Sequence, residues 1–389
     1  MLFRSTENLS VAAAFDLSYD DLAPDQQRLF RRLALHPGAD IDRYAAAALD
    51  DIGLAAARRG LEALYEQYLL TEPAPGRYRM HDLIREHARV LASRLDPGDD
   101  REQVTGRLLD YYQHAAARAQ GLLAWQARTA SAPGASTAPA AVPVLAGREQ
   151  ALGWARAERA SLLACLDQAT AAGQHARVIA LTAALEGLLR HDGPWDEAIT
   201  RHATAVQAAR ELGDRPGQAL ALSNLGAVRQ LAGDYPGAAR DLQEALSIYR
   251  DLGSRGGQAN ALLYLGIVRR LTGDYPSAAR DLQEALSISR DLGDRGGEAE
   301  ALNEAGTLSR TRGDLGRAGA CHQQALDLAR QIGGALDEAH ALAGLGRCAL
   351  AAGRTAEAEA GLRQALEIFT RIGAAEAGDV SAELDALFG

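Results

Sequence analysis

Any chemistry in this sequence would begin with its histidines, cysteines and serines, and their spacing supports none. His81 and His87 lie six positions apart, outside any HExxH pattern, so they do not form the helical pair that zinc hydrolases need. Cys165, Cys321 and Cys348 are odd in number and outside any CxxC spacing, which argues against a disulfide framework or a zinc site. Reduced, packed thiols in a cytoplasmic protein are the expectation. No serine sits in GxSxG. No lysine occurs in the 389 residues, which excludes a P-loop lysine and a Schiff-base lysine. No catalytic residue, metal ligand or resident cofactor is therefore expected, and the protein reads as one that binds and is not an enzyme.

Binding needs a surface, and the sequence marks one through repetition. Gly213, Gly253, Gly293, Gly333 and Gly373 recur every 40 residues, as do Ala198, Ala238, Ala278, Ala318 and Ala358, and Ala205, Ala245, Ala285, Ala325 and Ala365. Each unit reads as helix, Gly-Asp turn, helix, Gly-rich turn. Small residues such as Gly226 and Ala238 fall where two helices must approach, and Leu225, Leu242 and Leu246 fill the seams. A hairpin of this size cannot bury its apolar face alone, so five stacked copies must share a core and curve into a superhelix. The Leu-Gly, Ala, Ala order resembles the tetratricopeptide (TPR) signature, in a 40-residue variety. The expected fold is mostly all-α, with this array spanning 174–389.

The two most similar copies locate the variable face. Residues 231–252 and 271–292 differ only at Ala232/Thr272, Gly237/Ser277 and Tyr249/Ser289. The preceding helices differ at Leu220/Asn260, Ser223/Leu263, Asn224/Tyr264, Ala227/Ile267 and Gln230/Arg270, one arc of a helix. Later copies place Glu300, Asn303, Glu304, Thr307 and Arg310, then His340, Gly344 and Arg347, on that arc. TPR proteins use this face to hold extended peptides or helices. The candidate partner-binding groove is therefore Leu220, Ser223, Asn224, Gln230, Asn260, Tyr264, Arg270, Asn303, Glu304, Arg310, His340 and Arg347. The asparagines Asn224, Asn260 and Asn303 are the leading members, since an amide both donates and accepts. The expected partner is a protein or peptide.

Residues 11–96 have another rhythm, with helices near 9–20, 24–35, 41–49 and 53–67, two strands (LLTE and RYRM) joined by PAPG, and a helix in LIREHARVLASRL. That order predicts a winged-helix module with a short β-hairpin. Residues 1–10 read as a tail, and 97–173 as a helical connector with a flexible Ala/Pro/Ser-rich loop at 127–147. Trp195 shares the column of Tyr235 and Tyr275 and is expected in the core. No segment reads as a membrane span.

VAAAFDLSYDDL, LFRRLALHPG and YLLTEPAPGRYRMHDLIREHA resemble the winged-helix part of NB-ARC signal-transduction ATPases (STAND proteins). The nearest likeness is to bacterial regulators with a C-terminal TPR array, including SARP-type regulators. Met80, His81 and Asp82 match the MHD motif of that family. The resemblance implies that His81 senses the β-phosphate of ADP and holds a closed state. Asp82 is also expected to cap a helix beginning at Leu83. The resemblance covers only the C-terminal half of such a regulator. Without a nucleotide-binding domain the motif would be inactive, so ADP or ATP is expected only where an ATPase domain joins the chain.

Three functions follow. The first is a signal-sensing module whose groove takes a partner while the winged helix relays an autoinhibited state. The second is a free-standing TPR adaptor. The third, a DNA binder using Arg58, Arg59, Arg77 and Arg79, conflicts with a formal charge of −10, and direct nucleic-acid binding is not expected.

Overall fold

The structure, a computed structural model, describes residues 15–123, 139–191 and 194–388. The expected tail and residues 127–138 of the predicted loop lie outside them, while 139–147 contain no helix. The described chain divides into two compact units, 15–119 with 139–184, and 120–123 with 185–388. Most of the connector thus groups with the N-terminal module, and the second unit begins near 185 rather than at 174.

The first unit opens with a helical segment over 15–20, then α1 (Pro24–Leu33), β1 (Asp40–Ile41), α2 (Arg43–Asp50), α3 (Leu54–Glu66), β2 (Thr71–Ala74), β3 (Arg77–Arg79) and α4 (Asp82–Leu95). The predicted hairpin is present as β2 and β3, with Gly76 at φ +72° in its turn. β1 was not anticipated. It pairs antiparallel with β3 through Asp40 and Ile41, giving the sheet order β1-β3-β2. Asp42 then caps α2 by accepting from the amides of Tyr44 and Ala45. The connector helices α5 (Gly98–Leu123), α6 (Arg148–Ala157), α7 (Arg159–Ala171) and α8 (His175–Ala184) follow. Tyr111, Tyr112, Leu108 and Leu162 are fully buried in this unit.

The second unit contains α9 (Glu186–His191), α10 (Trp195–Leu212) and four hairpins: α11 (Arg215–Leu231) with α12 (Tyr235–Asp251), α13 (Arg255–Leu271) with α14 (Tyr275–Leu292), α15 (Arg295–Thr311) with α16 (Leu315–Ile332), and α17 (Ala335–Ala351) with α18 (Thr355–Ile372). α19 (Glu376–Phe388) packs beyond the last hairpin. Local chemistry repeats with the period. Asp214, Asp234, Asp274, Asp294 and Asp314 each cap a helix by accepting an amide three residues on. The turn glycines all have positive φ, from +66° at Gly373 to +86° at Gly273. Inside each hairpin a glycine sets the approach: a methyl on Gly226 or Gly266 would lie 2.6 Å from Leu242 or Leu282. Trp195 is not in the core and is 43% exposed, because its helix opens at the surface after Pro194.

α11, α13 and α15 each touch the next first helix as well as their own partners, whereas second helices make no comparable contact with one another. Exposed Arg210–Glu244 and Arg250–Glu284 pairs bridge the second helices instead. First helices crowd together and second helices splay, so the array bends with its first helices inside.

Candidate functional site

The helix-one arc marked in the sequence occupies the inner side of this bend, but its residues are half-buried or buried, and many are already engaged. Asn303 is 4% exposed: its amide donates to the Asp337 carbonyl at 3.1 Å, and its Oδ1 accepts from Nδ1 of His322 at 3.1 Å. Asn224 and Ser223 are also buried, at 6% and 2% exposure, and the Ser223 hydroxyl has no partner. The idea that the asparagines lead the groove therefore needs correcting. Asn303 holds the repeats together, Asn224 lies within the packing, and Asn260 alone of the three is half-exposed, with Nδ2 buried and unpartnered. The sequence could not show this, because each arc position is flanked by the next first helix, 34 to 40 residues away.

The charged members form ion pairs between successive first helices. Arg270 meets Glu304 at 3.1 Å, Arg347 meets Glu383 of α19 at 2.7 Å, and His340 meets Glu376 at 3.4 Å with its ring 5.3 Å from that of Phe369. Burial lowers the His340 pKa, but Glu376 outweighs it and the net shift is upward. Arg310, Gln230 and Leu220 are half-buried, and among the described residues Arg310 makes no ion pair. Tyr264 is 4% exposed, and its phenol accepts from Arg190 at 2.7 Å.

Three groups on this wall were not singled out from sequence. Asp337 stands where the preceding repeats have Gly217, Gly257 and Gly297. Burial pushes its carboxyl up to about 7, with Glu300 adding to the shift and His340 opposing it. His322 fills a slot opened by Gly306 and Gly344, and burial holds its pKa at about 4. Arg190 belongs to the column of Gln230, Arg270 and Arg310, so extending the period one repeat toward the N-terminus would have found it.

In the first unit, Met80 is buried while His81 and Asp82 are exposed. The helix starts one residue earlier than expected: His81 is the N-cap, with Nδ1 accepting from the Leu83 amide at 3.4 Å, and Asp82 is the first helical residue. The neighbouring cations are committed elsewhere. Arg85 donates to the carbonyls of Gly38 and Ala39, Arg79 pairs with Asp40, and Arg77 pairs with Asp40 and the buried Glu158. Tyr112 donates to Glu158 at 3.1 Å and meets His36 at 2.9 Å, so the hairpin arginine is locked into a buried network. These residues alone do not form a nucleotide pocket, and no step is assigned through ADP or ATP. Of the four arginines named for DNA binding, Arg77 is withdrawn into this network and Arg79 pairs with Asp40, while Arg58, paired with Glu62, and Arg59 are exposed.

The geometry of the second unit is that of stacked helical hairpins of one period, and known proteins match it. The tetratricopeptide-repeat family matches residues 180–251, 221–291 and 297–371. The array is a tetratricopeptide-repeat solenoid. The chain is 35% identical over 248 residues to the regulatory protein AfsR of Streptomyces griseus, a match covering 62% of this chain and 25% of that protein. It is 37% identical over 185 residues to AfsR of Streptomyces coelicolor, covering 46% of this chain and 18% of that protein. The match thus spans at most about a quarter of these relatives, and it fits a C-terminal tetratricopeptide region of a bacterial regulator. Among solved structures, a STAND protein with a tetratricopeptide repeat sensor from Pyrococcus horikoshii aligns at TM-score 0.50 and 14% identity, over 95% of this chain and 54% of that one. The apo form of RapI aligns at 0.51 and 11%, over 74% and 90%. Both likenesses bear on fold alone. No helix among the described residues is long and apolar enough to cross a membrane.

Proposed function

We propose that this chain is the sensing and relay part of a STAND-type transcriptional regulator. In this reading the inner wall of the tetratricopeptide array takes a protein or peptide, and the N-terminal module, read as a winged helix, passes occupancy to an ATPase domain. The observation that carries the reading is the contrast between near-duplicate second helices and first helices that differ at Leu220/Asn260, Ser223/Leu263, Asn224/Tyr264, Ala227/Ile267 and Gln230/Arg270 on the inner side of the bend. Second-helix packing is held constant while the first-helix face varies, its half-buried members Leu220, Gln230, Asn260 and Arg270 being the ones open to a partner, and the similarity to AfsR supplies the regulatory setting. His81 and Asp82, exposed at the start of α4, are the atoms through which a nucleotide-bound domain would be felt. Such a relay needs the partner to bind one state more tightly than the other. An adaptor without a nucleotide switch would use the same wall. The commitment of Arg77 and Arg79 to Asp40 argues against the DNA-binding reading.

The test compares partner capture by the intact chain with capture by Arg310→Glu on the inner wall and Ser287→Glu on the exposed face of α14. Loss of captured proteins with Arg310→Glu alone, at an unchanged melting temperature, is the expected result. Equal capture by both variants would refute the inner wall as the recognition surface.

A further inference from the structure

Arg190 lies on α9, yet its guanidinium donates to the phenol of Tyr264 on α13 at 2.7 Å and sits 5.6 Å from the centre of that ring. α13 is two first helices further along the array. Glu186 on its own helix lies 3.7 Å away, and Glu300 on α15, a further repeat on, acts on it electrostatically. One nitrogen of this side chain thus meets a phenol oxygen from another repeat and a carboxylate of its own helix, with the Tyr264 ring beside it. An aromatic ring with a carboxylate beside it is the chemistry that recognises a desolvated cation.

We propose that Arg190 is a built-in occupant of the recognition site, and that the ligand is a peptide whose arginine or lysine displaces it from Tyr264 and Glu186. This rests on reading the inner wall as a recognition surface. Arg190 then sets a threshold: a ligand must outcompete an intramolecular contact, so its apparent affinity is reduced by the fraction of chains that are closed.

The probe is a fluorescein-labelled tetra-arginine peptide followed by fluorescence polarisation, with a tetra-glutamate peptide in parallel. Arg190→Ala, with Arg190→Gln as a second variant should the first fail to fold, should bind tetra-arginine at least tenfold more tightly than the original chain. Adding Glu186→Gln should abolish that gain, and tetra-glutamate binding should not change. A gain for tetra-glutamate alone would overturn the cation assignment while leaving the inner wall a binding surface. No gain for either peptide, or a tetra-arginine gain that survives Glu186→Gln, would overturn the displaced-arginine site itself. The capture experiment with Arg310→Glu reads the broader function independently.

Discussion

One column of the array shows how far a single residue's meaning depends on its neighbours. Positions 202, 242, 282, 322 and 362 read His, Leu, Leu, His, Leu, each on a second helix. His202 is 1% exposed, and neither ring nitrogen has a partner. Burial lowers its pKa to about 4 from the ordinary 6.5, so the folded state holds it neutral. The unfolded chain binds the extra proton between those values, and this residue's contribution to stability is lost as pH falls through that window. His202→Leu should therefore stabilise the array by about 1 to 3 kcal/mol, the cost of buried polar atoms left unpaired, and flatten the acid limb of its melting profile between pH 6.5 and 4. His322→Leu should act oppositely, since it would orphan the Asn303 Oδ1 that His322 now satisfies, costing about 1 kcal/mol or more. Chemical denaturation of both variants decides this, and equal effects would refute it. The alignment of the two histidines in one column was legible in the sequence. Their difference was not, because it lies in Asn303, nineteen residues upstream of His322 in another helix.

At the scale of elements, the sequence marked helix ends well and interior polar contacts poorly. Gly, Asp and Pro placed the turns near 213, 233, 253 and 273, because backbone conformation and capping are local properties. β1 escaped notice because two residues carry no alternation, and only its pairing with β3 makes it a strand. The ion pair inside each of the first two hairpins also became visible only in three dimensions. Arg229 of α11 pairs with Asp241 of α12, and Arg269 of α13 with Asp281 of α14. The next two hairpins have Ser309 with Cys321, then Ala349 with Gly361, so both members change together. Burial pushes the Asp241 carboxyl up and Arg229 restrains it. Arg229→Ser alone should cost about 2 kcal/mol by leaving a buried carboxylate with only the exposed Arg240 as partner, whereas Arg229→Ser with Asp241→Cys should recover most of that loss. Thermal melts of the single and double variants measure the coupling, and a double variant no better than the single one would count against paired replacement.

At the scale of the whole array, the period makes the molecule a sum of units whose seams must match. Tyr249 at the end of α12 packs where Gly257 leaves room: a methyl on Gly257 would lie 2.3 Å from the ring. The next seam joins Ser289 to Gly297, and the one after joins Ala329 to Asp337. Residue volume thus trades between the first and last of these seams, Tyr249 against glycine and Ala329 against aspartate, while Ser289–Gly297 is small on both sides. Removing 255–294 brings Tyr249 to Gly297, which preserves the fit, and the shortened chain should still unfold in one cooperative transition at a lower temperature, as expected for a one-dimensional stack. Removing 255–334 instead sets the Tyr249 ring against Asp337, whose carboxyl is already buried beside Glu300 in the intact chain. That seam is overpacked, so the second deletion should lower the melting temperature by more than twice the first, and Asp337→Gly should restore it toward the additive value. Differential scanning calorimetry on the three chains reads the outcome. A purely additive loss without Asp337→Gly would mean that repeat number alone, and not the match of side chains between neighbours, sets the stability of the stack.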